Sequence, residues 1–139
     1  MNNAQELLMA HFDTFVVDHG KWKSIISDEL VWELPYAPGL GHPAKLTGRD
    51  EVLRHVDWFI GAVEDFRYFD LHISAFADSS MAVAEVKAEA RIKTTGRIYK
   101  QDYVLFARVE NGKLTFIREY FDPIRAAHAM DAEIKQSTT

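Results

Sequence analysis

The sequence contains no cysteine, which excludes disulfide bonds, thiolate nucleophiles and cysteine-ligated zinc. It also lacks a basic excess, because 21 acidic residues against 16 lysines and arginines give a formal net charge of −5. Phosphate-rich ligands and anionic lipid surfaces are bound through basic faces, so we expect neither nucleic-acid nor membrane partners. No apolar run approaches the length of a membrane helix, about 18 residues, and no secretion signal is recognisable at the start. These absences predict a cytoplasmic protein.

Proline and glycine are scarce, and they are concentrated in one segment. Three of the four prolines and three of the seven glycines lie between residues 35 and 48. This composition predicts a loop, and a loop of this length is a candidate lid over a binding site. The 139 residues otherwise indicate a single domain over 1–139, with a polar, frayed tail at about 136–139.

Apolar residues recur with helical or strand periodicity along the rest of the chain. In order, the patterns predict helices over about 3–19 (ended by Gly20) and 21–27, a strand over 28–36, and a helix to about residue 63 capped by residues 47–50. Strands over 66–76 and 81–92, a hairpin within 96–123, and a helix that starts at 122–123 and runs to about 132 follow. Helices gathered on one face of a curved antiparallel sheet form an α+β fold. The space between the sheet and the helices predicts a cone-shaped pocket.

The predicted hairpin turns at Glu110-Asn111-Gly112, and its loop length decides which residues face inwards. A two-residue turn pairs Val104 with Glu119, whereas a three-residue loop with a bulge pairs Tyr103 with Glu119. We adopt the three-residue loop because it separates apolar from charged residues better. Its inner face then carries Tyr99, Gln101, Tyr103, Leu105, Ala107, Val109, Thr115, Ile117, Glu119 and Phe121.

Glu119 is the main chemical signal, because it is a carboxylate on a mostly apolar face beside tyrosines. Burial disfavours the charged form, so its pKa should be raised towards neutrality, as a general acid or base requires. Two other interpretations remain open: a structural ion pair with an arginine such as Arg97, and exposure to solvent if the register is wrong.

The order of the elements and several short motifs resemble the SnoaL-like branch of the nuclear transport factor two (NTF2-like) superfamily. The motifs are Leu46-Thr47-Gly48-Arg49, Gly96-Arg97 with Tyr99 and Tyr103, Asn111-Gly112-Lys113, and Arg118-Glu119-Tyr120. Within this branch the pocket positions resemble phenazine-biosynthesis A/B-type proteins and, more broadly, ketosteroid-isomerase-like proteins.

This resemblance implies roles for individual residues. Glu119 matches the acid catalyst of an imine-forming condensation and, in the polyketide cyclases, the position of the catalytic aspartate. His55 and Trp58 match a histidine and a tryptophan that line the pocket, and Tyr99 matches a tyrosine on the preceding strand. Phe59 replaces the family's serine, which removes one polar contact. The resemblance also implies homodimers formed through the outer face of the sheet, on a stripe of Val104, Phe106, Phe116 and Tyr120.

The resulting hypothesis is a cofactor-free acid/base protein that acts on a small hydrophobic molecule, cyclic or carbonyl-bearing. The reaction would be an isomerisation, cyclisation, dehydration or condensation, and the alternatives are a non-catalytic small-molecule binder and a dimerising module with a filled pocket. No metal is expected, because the six histidines show no HxH or HxxxH spacing. Predicted catalytic residues are Glu119, His55 and Tyr99; predicted substrate contacts are Trp32, Tyr36, Trp58, Phe59, Gln101 and Tyr103.

Overall fold

A computed structural model describes residues 3–135, so the tail predicted at 136–139 lies outside the described residues. The helices are α1 (Ala4–Thr14), α2 (His19–Lys23), α3 (Arg49–Ala62) and α4 (Pro123–Met130), with a short 3₁₀-helix over Ala37–Leu40. The strands are β1 (Ile26–Glu33), β2 (Lys45–Thr47), β3 (Val63–Ala75), β4 (Met81–Ile92), β5 (Ile98–Glu110) and β6 (Lys113–Tyr120).

The strands form one six-stranded sheet in the order β2-β1-β6-β5-β4-β3. All neighbours are antiparallel except β1 and β6, which run parallel. Helices α1, α3 and α4 pack on the sheet. The curved sheet stays open rather than closing into a barrel, and alternate residues of β4 and β5 bury their side chains against the helices. The predicted α+β fold is therefore confirmed.

The first helical region is divided in two, whereas the sequence pattern predicted one helix to residue 19. Helix α1 ends at Thr14, and the Asp18 side chain caps a new helix by accepting a hydrogen bond from the Lys21 amide at 3.1 Å. An aspartate before the first turn of a helix satisfies amide groups that have no partner inside it, which favours the restart. Gly20 therefore lies inside α2 instead of ending a helix.

Helix α2 contributes one large anchor to the core. Trp22 is fully buried, and its indole Nε1 donates a hydrogen bond of 2.9 Å to Nδ1 of the buried His11 on α1. Because Nδ1 accepts, the neutral imidazole carries its proton on Nε2. This bond joins the two helices across the break between them.

The segment predicted as a loop over 35–48 contains regular structure, the 3₁₀-helix and the edge strand β2. It is tied to the C-terminal segment, because the Lys135 amide donates to the Gly39 carbonyl oxygen at 2.6 Å. Gly48 precedes α3 without a side-chain cap. In the predicted capping motif, the helix supplies the side chain: the Glu51 carboxylate in the first turn of α3 accepts a hydrogen bond from the Thr47 backbone amide at 2.7 Å.

The β5–β6 hairpin turns on two residues, Asn111 and Gly112, with φ of 51° and 73°. Glu110 opposes Lys113, but a bulge near Thr115 shifts the register so that Leu105 opposes Glu119. The adopted Tyr103–Glu119 pairing is therefore wrong, as is the alternative with Val104. The predicted inner face survives for Glu119, because the bulge adds one residue and returns it to the side of Leu105.

We expect Gly112→Ala to destabilise the fold by about 1 kcal/mol, because an L-residue is disfavoured at positive φ. No neighbouring atom lies within 4 Å of an added Cβ, so the cost would come from the backbone alone. Gly61→Ala in α3 is a matched control with equal free space. It should stabilise by about 0.5–1 kcal/mol, since alanine favours helix. Urea unfolding midpoints measure both, and loss of stability in the control as well would contradict this explanation.

The outermost long strand, β3, is interrupted twice. Asp65 and Asp70 adopt positive φ of 56° and 55°, and the pairing with β4 shifts register near each of them. These two irregularities bend an otherwise continuous edge strand of 13 residues. Within residues 3–135, no helix is long and apolar enough to cross a membrane.

Candidate functional site

A cavity of about 90 Å³ lies between the inner face of the sheet, helices α3 and α4, and the segment around the 3₁₀-helix. Its lining is largely aromatic and aliphatic, and among the residues described it includes Glu119 but no lysine or arginine. Seven of the nine predicted site residues line it together: Glu119, His55, Tyr99, Trp32, Trp58, Phe59 and Tyr103.

Strand β6 places Glu119 on the inner face of the sheet, with its side chain partly accessible from the cavity. Burial away from bulk water raises the pKa of its carboxyl group from 4.5 to about 8. The proposed structural partner Arg97 is occupied elsewhere, since it donates to the His128 carbonyl oxygen at 2.6 Å and lies 3.6 Å from Asp131. Glu119 is therefore an unpaired, protonatable acid among residues 3–135.

Two phenols meet in the same cavity. The hydroxyl groups of Tyr99 and Tyr103, both on β5, are 2.8 Å apart and hydrogen-bond to each other. Burial is the first cause that raises the pKa of each phenol, and the charge of Glu119 contributes to both shifts. The phenols consequently stay protonated over the physiological range and can act as hydrogen-bond donors.

Gln101 was predicted to contact substrate, but it does not line the cavity. It is 2% exposed, and its amide is hydrogen-bonded to Tyr99 and to the backbone of Asp102 and Asp122. The start of α4 covers the inner face at this end of β5. Gln101 is therefore buried beneath Asp122, outside the lining of the cavity.

Tyr36 was also predicted to contact substrate, and the structure places it elsewhere. Strand β1 ends at Glu33, so the alternation that aligned Tyr36 with Trp32 stops before it. Tyr36 is 51% exposed, and its ring lies 5.5 Å from that of Tyr120, on the outer side of the sheet.

His55 and Trp58 of α3 form the rim of the cavity with His42, which the sequence analysis did not single out. The ring centroids of His42 lie 5.8 Å from His55 and 4.8 Å from Trp58. Burial, and then the charge of His42, lower the pKa of His55. In the part of the chain that the structure describes, the His55 ring packs against these two rings and makes no hydrogen bond to Glu119. Its lowered pKa favours the neutral imidazole at pH 7.

Tyr68 of β3 is a lining residue that the sequence analysis missed. Its ring packs edge-on against Phe12 at 4.9 Å and approaches Tyr103 at 6.4 Å. Burial, followed by the charge of Glu119, raises the pKa of its phenol. The only signal in the sequence was the weak alternation of residues 66–76, which the two irregularities of β3 obscure.

The stripe expected to form a dimer interface lies on the outer face of the sheet, away from the cavity. Val104, Phe106, Phe116 and Tyr120 are all partly exposed there. Two guanidinium groups cover part of it, with Arg118 5.2 Å and Arg108 5.9 Å from the ring centroid of Phe116. The homodimer stays a prediction.

The fold and the site together are typical of a small-molecule-binding α+β domain. A curved sheet is covered on one side by helices, and an acid and two phenols line the apolar cavity between them. The chain belongs to the SnoaL-like domain family, whose model matches residues 8–117. This confirms the resemblance drawn from the sequence motifs, and a solved NTF2-like protein of Burkholderia xenovorans shares the fold.

Individual proteins agree with this assignment. The chain is 26% identical over 131 residues to an uncharacterized PhzA/B-like protein of Pseudomonas aeruginosa, covering 92% of this chain and 90% of the other. A crystal structure of a Bacillus subtilis protein provisionally named an isomerase superposes with a TM-score of 0.85 at 23% identity, covering 98% and 100% of the two chains. A phenazine biosynthesis-related protein of Pseudomonas aeruginosa superposes with a TM-score of 0.78 at 16% identity, covering 96% and 83%. The two structural similarities show the shared fold.

Proposed function

We propose that this protein binds a small, neutral, carbonyl-bearing molecule in the cavity and that Glu119 transfers a proton to or from it. The observation that carries this proposal is the position of Glu119 in the cavity without a charged partner among the described residues. With a pKa of about 8, both its protonated and its ionised forms are populated near neutral pH. A group in this range suits general acid–base catalysis.

The lining favours this class of ligand. The absence of lysine and arginine among the described lining residues disfavours an anionic ligand, because no permanent positive charge there would neutralise it. Tyr99 and Tyr103 supply hydrogen-bond donors, which match a carbonyl oxygen and stabilise it as it gains negative charge. The remaining aromatic surface suits an apolar skeleton.

The size of the cavity sets a further limit. A volume of about 90 Å³ accommodates a ring of about five or six atoms, whereas typical drug-sized ligands occupy pockets of about 300–1,000 Å³. A larger substrate would extend past Trp58 and His42 at the rim, and Trp58 is 45% exposed there. The reacting carbonyl would then lie at the bottom, beside Glu119.

The reaction follows from these positions. Ionised Glu119 removes a proton from the carbon next to the carbonyl group, a phenol donates a hydrogen bond to the resulting enolate oxygen, and protonated Glu119 returns the proton to another atom. Isomerisation, cyclisation, dehydration and condensation share this proton transfer. His55 and Trp58 would orient the part of the ligand nearest the rim, and Trp32 and Phe59 would shape the apolar part of the cavity.

The test combines a titration with an exchange reaction. Carboxyl-carbon NMR should give Glu119 a pKa near 8, against about 4.3 for a free glutamate. In D₂O the protein should accelerate exchange of the α-hydrogens of cyclohexanone, and Glu119→Gln should slow this exchange by about 10²–10⁴-fold. Glu85→Gln, on the exposed face of β4, is the matched control and should change neither quantity.

Binding of cyclohexanone without accelerated exchange would contradict the catalytic proposal. It would favour the non-catalytic small-molecule binder, whose affinity should survive Glu119→Gln.

A further inference from the structure

The orientation of the Gln101 side-chain amide is determined by the backbone around it. Its Oε1 accepts from the backbone amides of Asp102 at 3.1 Å and Asp122 at 2.8 Å. Its Nε2 donates to the Asp122 carbonyl oxygen at 3.0 Å. A flipped amide would place its NH₂ group against two backbone donors and its oxygen against a carbonyl oxygen, so the orientation is unambiguous.

This orientation determines what Gln101 presents to Tyr99. The second Nε2 hydrogen points at the Tyr99 hydroxyl at 3.1 Å, so that hydroxyl accepts a hydrogen bond from Gln101. Its own proton then has one acceptor among the described side chains, the Tyr103 hydroxyl at 2.8 Å. Tyr99 therefore donates to Tyr103, and the proton of Tyr103 remains for a ligand.

Tyr103 is also the phenol closer to Glu119 along the sheet. Glu119 opposes Leu105 across the β5–β6 pair, and Tyr103 lies two residues from Leu105 on the same face. Such diagonal neighbours are about 7–8 Å apart between Cα atoms, within reach of long side chains. Tyr99 lies four residues further along β5 and reaches the site through the Tyr103 hydroxyl.

We propose that Gln101 is a positioning residue that aligns the hydroxyls of Tyr99 and Tyr103 in one direction, so that Tyr103 donates its hydrogen bond to the carbonyl oxygen of the ligand. The inference rests on the proposed function, because it takes the ligand to carry a carbonyl group. It makes Tyr103, which the sequence predicted as a substrate contact, the donor to the ligand in place of Tyr99, which the sequence predicted as catalytic. Hydrogen bonds in such a chain polarise one another, which strengthens the final donor.

The experiment uses cyclohexanone labelled with ¹³C at the carbonyl carbon as the probe. Hydrogen bonding moves this resonance downfield, and the titration also gives the dissociation constant. We expect Tyr103→Phe to remove most of the downfield shift and to weaken binding by about three- to tenfold, the effect of one hydrogen bond. Tyr99→Phe should keep most of the shift, since Tyr103 still donates. Tyr120→Phe, on the outer face of the sheet, is the control.

Gln101→Glu tests the direction itself, because it replaces a donor by an acceptor of the same shape. The comparison is made at a pH high enough to ionise this buried carboxyl group. The carboxylate then still accepts from the amides of Asp102 and Asp122, loses the hydrogen bond to the Asp122 carbonyl oxygen, and takes the proton of Tyr99. Tyr103 then donates to Tyr99, so the downfield shift should fall to the level of Tyr103→Phe although both tyrosines remain. A purely structural role of Gln101 would change the unfolding midpoint and leave the shift of the bound probe unchanged.

Two results would overturn the inference: a wild-type shift in folded Gln101→Glu, or a larger loss of shift in Tyr99→Phe than in Tyr103→Phe. If Gln101→Glu does not fold, the comparison of Tyr99→Phe with Tyr103→Phe alone tests the inference. If the variants show the expected pattern of carbonyl shifts but hydrogen exchange survives Glu119→Gln, the proton-transfer role of Glu119 is contradicted and the positioning role of Gln101 is supported. Failure of the probe to bind the wild-type protein would overturn both proposals.

Discussion

Replacing Glu119 by glutamine should make the protein more stable than the wild type in alkaline solution. Folding raises the pKa of this carboxyl group from 4.5 to about 8. In that interval the folded protein holds a proton that the unfolded chain has released, so stability is fully retained below pH 4.5 and is lost as the pH rises towards 8. The loss amounts to roughly 1.4 kcal/mol per pH unit and on the order of 5 kcal/mol in total.

Urea unfolding at pH 5 and pH 9 measures this effect. The variant should gain on the order of 4 kcal/mol relative to the wild type between the two values, because glutamine has no charge to bury. Groups that do not interact with Glu119 cancel in the comparison, and the buried phenols of the folded protein stay protonated at both pH values. Glu85→Gln supplies the control, and a constant difference between Glu119→Gln and the wild type at both pH values would mean that Glu119 is solvated in the folded state.

His11→Leu should reverse the sign of its effect between neutral and acidic solution. Burial lowers the pKa of His11 from 6.5 to about 3, so the stability it contributes is complete above pH 6.5 and is lost as the pH falls towards 3. At pH 7.5 the variant leaves the Trp22 N–H without its acceptor and should lose about 1–3 kcal/mol. At pH 3.5 the wild type must bear about 4 kcal/mol of a penalty that totals about 5 kcal/mol, and leucine avoids this penalty.

The measurement is the free energy of unfolding of both proteins at pH 7.5 and 3.5. His72→Gln is the control for a histidine, since the His72 side chain is 74% exposed and should show no crossover. Equal destabilisation by His11→Leu at both pH values would contradict the prediction. It would mean that the His11 ring becomes protonated in the folded protein at acidic pH without a loss of stability. In the wild type, the opposing slopes of His11 and Glu119 should give a plateau of stability between about pH 4.5 and 6.5.

The elements that the sequence predicted best are those whose pattern depends on burial alone. The strand predicted over 81–92 has those bounds in the structure, because buried apolar residues recur at every second position, and charged residues alternate with them from Glu85 to Arg91. The hairpin was harder. The alternation predicted the inner face of β5 and the position of Glu119, but it placed Thr115 on that face where Leu114 is buried. The register depends on a bulge near Thr115 that is not encoded by any turn residue. The sequence predicted two helices but placed the break between them at Gly20 instead of after Thr14, because Asp18 competes locally with a helical pattern that continues past it.

For the site, the sequence identified residues but not their relations. Glu119, Tyr99 and Tyr103 could be found because their strands alternate regularly and bring them to one face. The role of Gln101 depends on the backbone of Asp122, 21 residues away, and no local pattern contains that contact. Tyr36 was wrongly included because a regular pattern was extended beyond the end of β1. Tyr68 was missed because bulges interrupt the pattern of β3.

Those bulges have a consequence for the behaviour of the protein in a crowded solution. A long strand at the edge of a sheet is a template on which a strand of another molecule can add, which is the first step of many aggregation processes. In β3 the positive-φ residues Asp65 and Asp70 interrupt the row of backbone groups and place a carboxylate at each interruption. A foreign strand would find only short stretches to pair with. The opposite edge strand, β2, has only three residues, so both edges of the sheet disfavour the addition of a strand from another molecule.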